Sequence, residues 1–357
     1  MQAQRPCLWQ IIVMAGLLTM LICFMTGCDH KPGRKMTVID PPTDKHADTL
    51  ALERIDRLDE RFALAWLSEE ELLYQTNPLT TELLQIHNLK TGASQATAMR
   101  AERSAVVSPD RKHVFLLSDL QADIADLISG QVISLPTSDD RVSWILRDAV
   151  GAWANDQAYV LPIVKGDNEY SLLYVRVDGT ATPVSIRDED QPIQKVMVYG
   201  ESIYYLTFDQ QLKMLDEHGN YAKLISNQVA DFALSPDGIR IALALVSGKD
   251  EVSLILSDAQ GQTQKSTGVK GRLLQQLSWS PDGHRLAFAI FNLAQGMTGL
   301  YVMDKQTGSM LPLSTFQTLK SPIVWSPSGQ QLLISQRDES SPDSKAFSTI
   351  YRFKTLP

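Results

Sequence analysis

The sequence predicts an all-β chain folded as a single β-propeller of seven four-stranded blades, with six as the alternative count, closed by an N-terminal strand. Three observations carry that expectation. A turn motif recurs along the chain. A second β-rich element recurs in phase with it. The last copy lacks an outer strand, and the segment before the first copy is placed to supply one.

The turn motif is plainest near the C-terminus. Leu234-Ser235-Pro236-Asp237-Gly238 precedes Ile241-Ala242-Leu243-Ala244, Trp279-Ser280-Pro281-Asp282-Gly283 precedes Leu286-Ala287-Phe288-Ala289, and Trp325-Ser326-Pro327-Ser328-Gly329 precedes Leu332-Leu333-Ile334-Ser335. Weaker copies are Val107-Ser108-Pro109-Asp110, Trp153-Ala154-Asn155-Asp156 and Trp66-Leu67-Ser68-Glu69, with a degenerate one at Tyr199-Gly200-Glu201-Ser202. The residue before the serine-like position falls at 66, 107, 153, 198, 234, 279 and 325, a spacing that fits one four-stranded blade. Proline presets φ for the second turn position, aspartate bonds its own backbone, and glycine accepts the left-handed conformation. Ser108, Pro109, Asp110, Ser235, Pro236, Asp237, Gly238, Ser280, Pro281, Asp282, Gly283, Ser326, Pro327 and Gly329 are therefore assigned as structural turn residues. The strands either side read almost continuously apolar, as in sheets covered on both faces.

The second element is a β-rich run closed by a glycine turn: Leu173 to Gly179, Leu254 to Gly261 and Leu300 to Gly308 are clear copies, and Leu84 to Gly92, Ile124 to Gly130 and Leu212 to Gly219 are further ones. The last repeat stops after Thr349-Ile350-Tyr351-Arg352-Phe353, its third strand. Leu52 to Leu58 is expected to supply the fourth and lock the ring; the helix propensity of Ala51-Leu52-Glu53-Arg54 leaves a helix as the alternative. The tryptophans Trp66, Trp153, Trp279 and Trp325 share one repeat position, which reads as core between blades rather than as a binding platform.

The Trp-Ser-Pro-Asp-Gly-x-x-Leu-Ala-Phe and Leu-Tyr-Val-Met-Asp runs resemble the repeats of the TolB propeller family over residues 60–353, specifically in the last three repeats and loosely in the first four. The resemblance implies a propeller and binding at a face or in the central channel, without implying one activity. TolB carries an additional N-terminal α/β domain for which there is no room before residue 60.

Residues 1–27 read as a signal peptide: Arg5 supplies the positive n-region, and the run from Leu8 to Met25 is apolar and uncharged. Met25-Thr26-Gly27-Cys28 resembles a bacterial lipobox, which implies cleavage between Gly27 and Cys28 and acylation of Cys28. Membrane lipid is thus an expected partner, and the protein is expected outside the cytoplasm. If the host has two membranes, Asp29 resembles a retention signal for the inner one, facing the periplasm. Residues 28–49, rich in proline and charge, form a flexible tether, and residues 50–357 the propeller.

The chemistry the sequence excludes is extensive. The cysteines, Cys7, Cys23 and Cys28, all precede the body, so the body has neither a disulfide nor a cysteine-based metal site. A net charge of −8 without a basic run argues against nucleic acid. Of the histidines, His30 and His46 lie in the tether. His113 and His284 occupy comparable positions after the turn motif, and His87 and His218 fall in or after third strands. None has metal-ligand spacing, and no nucleophile elbow or P-loop is present. The expectation is a non-catalytic module, not an enzyme, with no cofactor and no metal, which offers a face to an envelope protein or to cell-wall polymer. The alternative is a small-ligand sensor or a metal-dependent enzyme of the lyase-like propeller type, with its site in the channel. The sequence leaves the oligomeric state open.

Overall fold

The computed structural model describes residues 50–354 apart from short segments at 79–81, 102–103, 119–120, 136–143, 146–148, 166–168, 185, 187–190, 216–221, 292–297, 316–318, 320 and 338–344. Gly27, Cys28, His30, His46 and His218 lie outside the described residues. Among the described residues all regular structure is β, and it falls into seven antiparallel sheets.

The chain opens with β1 (Leu52–Asp59). The first blade is β2 (Phe62–Trp66), β3 (Glu71–Gln75), β4 (Leu83–Asn88) and β5 (Ser94–Arg100). The second is β6 (Ser104–Val107), β7 (His113–Leu117), β8 (Ala122–Asp126) and β9 (Val132–Ser134). The third is β10 (Trp144–Ile145), β11 (Ala152–Asn155), β12 (Ala158–Lys165), β13 (Glu169–Arg176) and β14 (Ala181–Val184). The fourth is β15 (Ile193–Tyr199), β16 (Ser202–Thr207), β17 (Leu212–Leu215) and β18 (Lys223–Ser226). The fifth is β19 (Val229–Leu234), β20 (Arg240–Gly248), β21 (Glu251–Asp258) and β22 (Thr263–Gly271). The sixth is β23 (Leu273–Trp279), β24 (Arg285–Phe291), β25 (Gly299–Asp304) and β26 (Met310–Ser314). The seventh is β27 (Val324–Trp325), β28 (Gln331–Arg337) and β29 (Ala346–Phe353). Each blade is a meander whose successive strands pair antiparallel; in the third, β10 and β11 pair the same edge of β12 and together make one interrupted inner strand.

The ring closes as expected. β1 pairs β29 from Leu52↔Phe353 to Asp59↔Phe347 and completes the seventh blade as its outer strand, so the helix alternative for this segment and the six-blade count both fall. Asp56 links the two strands: Arg352 Nε donates to its carboxylate at 2.7 Å, and Arg54 lies at 2.9 Å. Burial pushes the Asp56 carboxyl upward, but the hydrogen bonds from both arginines outweigh it and hold the group below its ordinary range.

The turns explain why these residues form hairpins. Ser235 Oγ donates to Asp237 Oδ1 at 2.5 Å and accepts from Arg240 N at 3.0 Å, so one hydroxyl ties turn and strand together. The Ser280–Asp282–Arg285 and Ser108–Asp110–His113 sets repeat the arrangement. In the seventh blade Ser328 replaces the aspartate, and its hydroxyl lies 3.4 Å from Ser326 Oγ. Gly238 has φ +66°, and a Cβ there would fall 2.1 Å from the Tyr199 ring, so the neighbouring blade also demands glycine. In the second blade Arg111 takes the left-handed place with φ +60° and sends its guanidinium to Trp66 O at 2.8 Å. The degenerate copy is a two-residue hairpin, Tyr199↔Ser202, with Gly200 at φ +58°.

The core is built between blades. Each of the seven seams has its own apolar cluster, drawn from the facing sides of two adjacent sheets. The recurring tryptophan fills this space and donates its indole N–H to the inner strand of the preceding blade. Trp66 reaches Val324 O at 3.3 Å, Trp153 reaches Val106 O at 2.8 Å, Trp279 reaches Ala233 O at 3.1 Å, and Trp325 reaches Ser278 O at 3.0 Å.

This gives a direct test of the seam. Trp279→Phe keeps an aromatic ring but leaves the Ala233 carbonyl without its donor, and is expected to cost about 1 kcal/mol. Trp279→Ala also opens a cavity and is expected to cost about 3–5 kcal/mol. Urea denaturation of the two variants checks the difference.

Candidate functional site

Strand order sorts the connections onto two faces. The serine-containing turns and the third-to-fourth-strand turns lie on one, the turn face. The second-to-third-strand loops and the passages from blade to blade lie on the other, the loop face.

Every sequence-assigned turn residue lies on the turn face. There the carboxylates are engaged in capping. The Ser235 hydroxyl, with Ile239 N–H, holds the Asp237 carboxyl below its ordinary range against the upward push of burial. The described histidines do not converge. His113 lies on the turn face with Nε2 3.7 Å from Asp126, and His284 is exposed with its backbone N–H on Asp282. His87 is buried in the third strand of the first blade, its Nδ1 3.0 Å from Ser94 Oγ; burial, then the charge of Arg61, pushes its pKa down and keeps it neutral. Among the described residues no three of His, Cys, Asp or Glu stand together so as to hold a metal ion.

The chemistry sits instead at the loop-face end of the inner strands of the fourth to sixth blades. Lys195 and Asp231 are the third residues of β15 and β19, and Lys195 Nζ lies 2.7 Å from Asp231 Oδ1 and 2.7 Å from Phe232 O. Asp231 also accepts from Phe232 N at 2.8 Å and, across the next seam, from Leu277 N at 2.9 Å. One carboxylate thereby joins three consecutive blades. Both side chains are mostly shielded, at 19% and 11% exposure, so the pair is held in a setting of weak solvent screening.

The inner strands are bulged at these groups. The pairing slips between Ile193 and Lys195, between Val229 and Asp231, and between Gln275 and Ser278. Three glutamines nearby stand in the left-handed region: Gln210 at φ +66°, Gln228 at +59° and Gln276 at +59°. Such a backbone costs a side-chain-bearing residue about 1–2 kcal/mol, and strain of this kind gathers at binding and catalytic sites. Gln210 O accepts from Val229 N and Phe208 N donates to Pro192 O, so the 207–211 loop bridges the starts of β15 and β19. Phe208 is 68% exposed there.

The neighbouring seam is irregular as well. Just before β11, Val150 makes a parallel bridge to Lys195 of the next blade, with both hydrogen bonds at 2.8 Å. Gly151 permits this, since a Cβ there would lie 2.4 Å from Val160 O.

Sequence reasoning missed these residues, although the repeat contains a signal for them. Lys195, Asp231 and Gln276 each stand three residues before the repeat positions 198, 234 and 279. Aligned there, they form one polar step on consecutive inner strands.

The comparisons decide what the ring is like. Two lyases share the fold. An oligogalacturonate lyase in complex with manganese is similar with a TM-score of 0.65 and 13% identity, over 84% of this chain and 91% of its own. An oligogalacturonate lyase from Vibrio parahaemolyticus is similar with a TM-score of 0.64 and 12% identity, over 83% and 91%. A chain of the mitotic checkpoint complex follows at 0.58 and 13%, over 87% and 94%. No protein-family model matches the chain, and no curated protein matches it by sequence.

These findings correct two expectations. The reading as a non-catalytic scaffold, and with it the exclusion of enzyme activity, is overturned: two of the rings that this chain superposes on are lyases. The sequence reading rested on scattered histidines and missing motifs, and a propeller site assembled from several blades has no contiguous motif to find.

The strain at the site can be measured. Gln276→Gly removes the left-handed penalty, which offsets glycine's larger chain entropy. The variant is expected to be as stable as the parent or about 1 kcal/mol more stable, by thermal and urea unfolding.

Proposed function

We propose that this protein is a lyase-like propeller that binds an organic ligand, saccharide in class, at the loop-face mouth of its inner ring. The observation that carries the reading is the shielded Lys195–Asp231 pair, with Gln210, Gln228 and Gln276, all in left-handed backbone, on the segments that adjoin it. The likeness of the whole ring to two lyases supports it.

The residues suit the chemistry. A glutamine amide both donates and accepts, as hydroxyl-rich ligands require. The exposed ring of Phe208 offers an apolar surface to the flat face of a sugar. An acidic saccharide carries a carboxylate, and that negative charge needs a fixed positive partner. The Lys195 ammonium, held by Asp231 and Phe232 O, is fixed in place before any ligand arrives. Manganese accompanies one of the matched lyases, but the described residues offer no cage for it, and the roles given to Lys195 and the glutamines stand without it.

The test is incubation of the purified protein with oligogalacturonate, and separately with neutral oligosaccharides, while ultraviolet absorbance of an unsaturated product is followed. Turnover is expected, with Lys195→Met lowering kcat/KM by about 100-fold or more and Gln276→Gly weakening binding without loss of stability. Binding without turnover makes the protein a sensor. Neither binding nor turnover with either class defeats the reading.

The proposal extends to location. The uncharged apolar run from Leu8 to Met25 and the lipobox-like Met25-Thr26-Gly27-Cys28 that ends it support anchorage by acyl chains outside the cytoplasm. Growth with an alkyne-tagged palmitate is expected to label the protein in the membrane fraction, and Cys28→Ser to abolish the label.

A further inference from the structure

Gln75 breaks the repeat in the seam between the first and second blades. It is 1% exposed, and neither its amide nitrogen nor its amide oxygen has a hydrogen-bond partner. A buried amide left in that state costs stability, and native proteins seldom keep one without a use.

Its place in the fold sharpens the point. The repeat pairs Trp66↔Leu72, Val107↔Val114, Leu234↔Ile241, Trp279↔Leu286 and Trp325↔Leu332. Three residues beyond each second-strand partner stand Gln75, Leu117, Ala244, Ala289 and Ser335, all buried. Leu117, Ala244 and Ala289 belong to the apolar clusters of their seams. Ser335 is polar but fully used: its hydroxyl donates to Ala63 O of the next blade at 2.6 Å and lies 2.8 Å from Ser348 Oγ. Gln75 has the longer side chain and makes no such bond. The cluster of its seam brings Met99 from the end of β5, and Ala101 and Ala105 from the passage into β6 and its start.

We propose that the seam between the first and second blades holds a small internal site at its loop-face end, in which the Gln75 amide binds one hydroxyl-bearing guest. The amide N–H donates to the guest oxygen, and the amide C=O accepts its proton. The chemistry is that of a neutral hydroxyl: the cluster residues of this seam are apolar, and a charge buried among them without a partner is costly. Water and a polyol or sugar hydroxyl share this chemistry. The site is separate from the Lys195–Asp231 mouth and stands whether or not that mouth turns over a ligand.

The experiment is a high-resolution crystal structure of the protein in polyol-free buffer and after soaking in glycerol, beside Gln75→Leu, which places leucine as Leu117 does. The expected result is a density peak within hydrogen-bond distance of both Gln75 amide atoms and absent from Gln75→Leu. A peak that persists as a single atom in glycerol identifies water. A peak that takes the shape of glycerol, with a rise in melting temperature seen in the parent and not in Gln75→Leu, identifies a polyol guest. Absence of the peak in both crystals, or a Gln75 amide bonded to protein groups alone, overturns the proposal. If Gln75→Leu does not crystallise, loss of the glycerol-dependent melting shift reads the polyol case, and a parent peak alone reads the water case.

Discussion

Everything in this structure depends on how one blade holds the next. A four-stranded sheet that is apolar on both faces has no stable existence alone, and stacking it leaves two raw ends unless the stack bends into a ring. Apolar contact by itself sets neither angle nor height. The indole N–H of Trp66, Trp153, Trp279 and Trp325, aimed at a carbonyl on the preceding inner strand, sets both. Where the tryptophan is missing another tie takes its place. Arg111 reaches Trp66 O across the first seam, Val150 pairs with β15 across the third, and Lys195 meets Asp231 across the fourth.

The irregular ties are also where chemistry gathers. A repeat that uses tryptophan, leucine and alanine at its seams is stable and inert. At the loop face of the fourth to sixth blades stand instead an ion pair, bulged inner strands and three glutamines in left-handed backbone. The cost is local and the rest of the ring, with its seven apolar seams, supports it. The turn face shows the opposite economy: its carboxylates cap turns and are engaged by hydroxyls and backbone N–H groups.

Much of the fold was legible in the sequence because its signals are local. Ser-Pro-Asp-Gly makes a turn from four adjacent residues, and an apolar run on each side makes the hairpin. Even the closing strand could be foreseen, since the last repeat stops at Phe353 and β1 begins at Leu52. The candidate site was not legible in the same way. Lys195 and Asp231 are 36 residues apart, and nothing in either neighbourhood announces a partner. Histidine counting pointed away from catalysis because it looked for one kind of centre.

The sequence by itself determined the blade, its length and its turns, all set by interactions within about 45 residues of chain, while the count of seven and the closing strand were settled by the pairing of β1 with β29. Only the tertiary structure decided which side chains meet across a seam, because register between blades is set by curvature and by bulges that shift a strand by one residue. The packing of blade on blade places Lys195 against Asp231 and buries the Gln75 amide, and no reading of residues along the chain contains it.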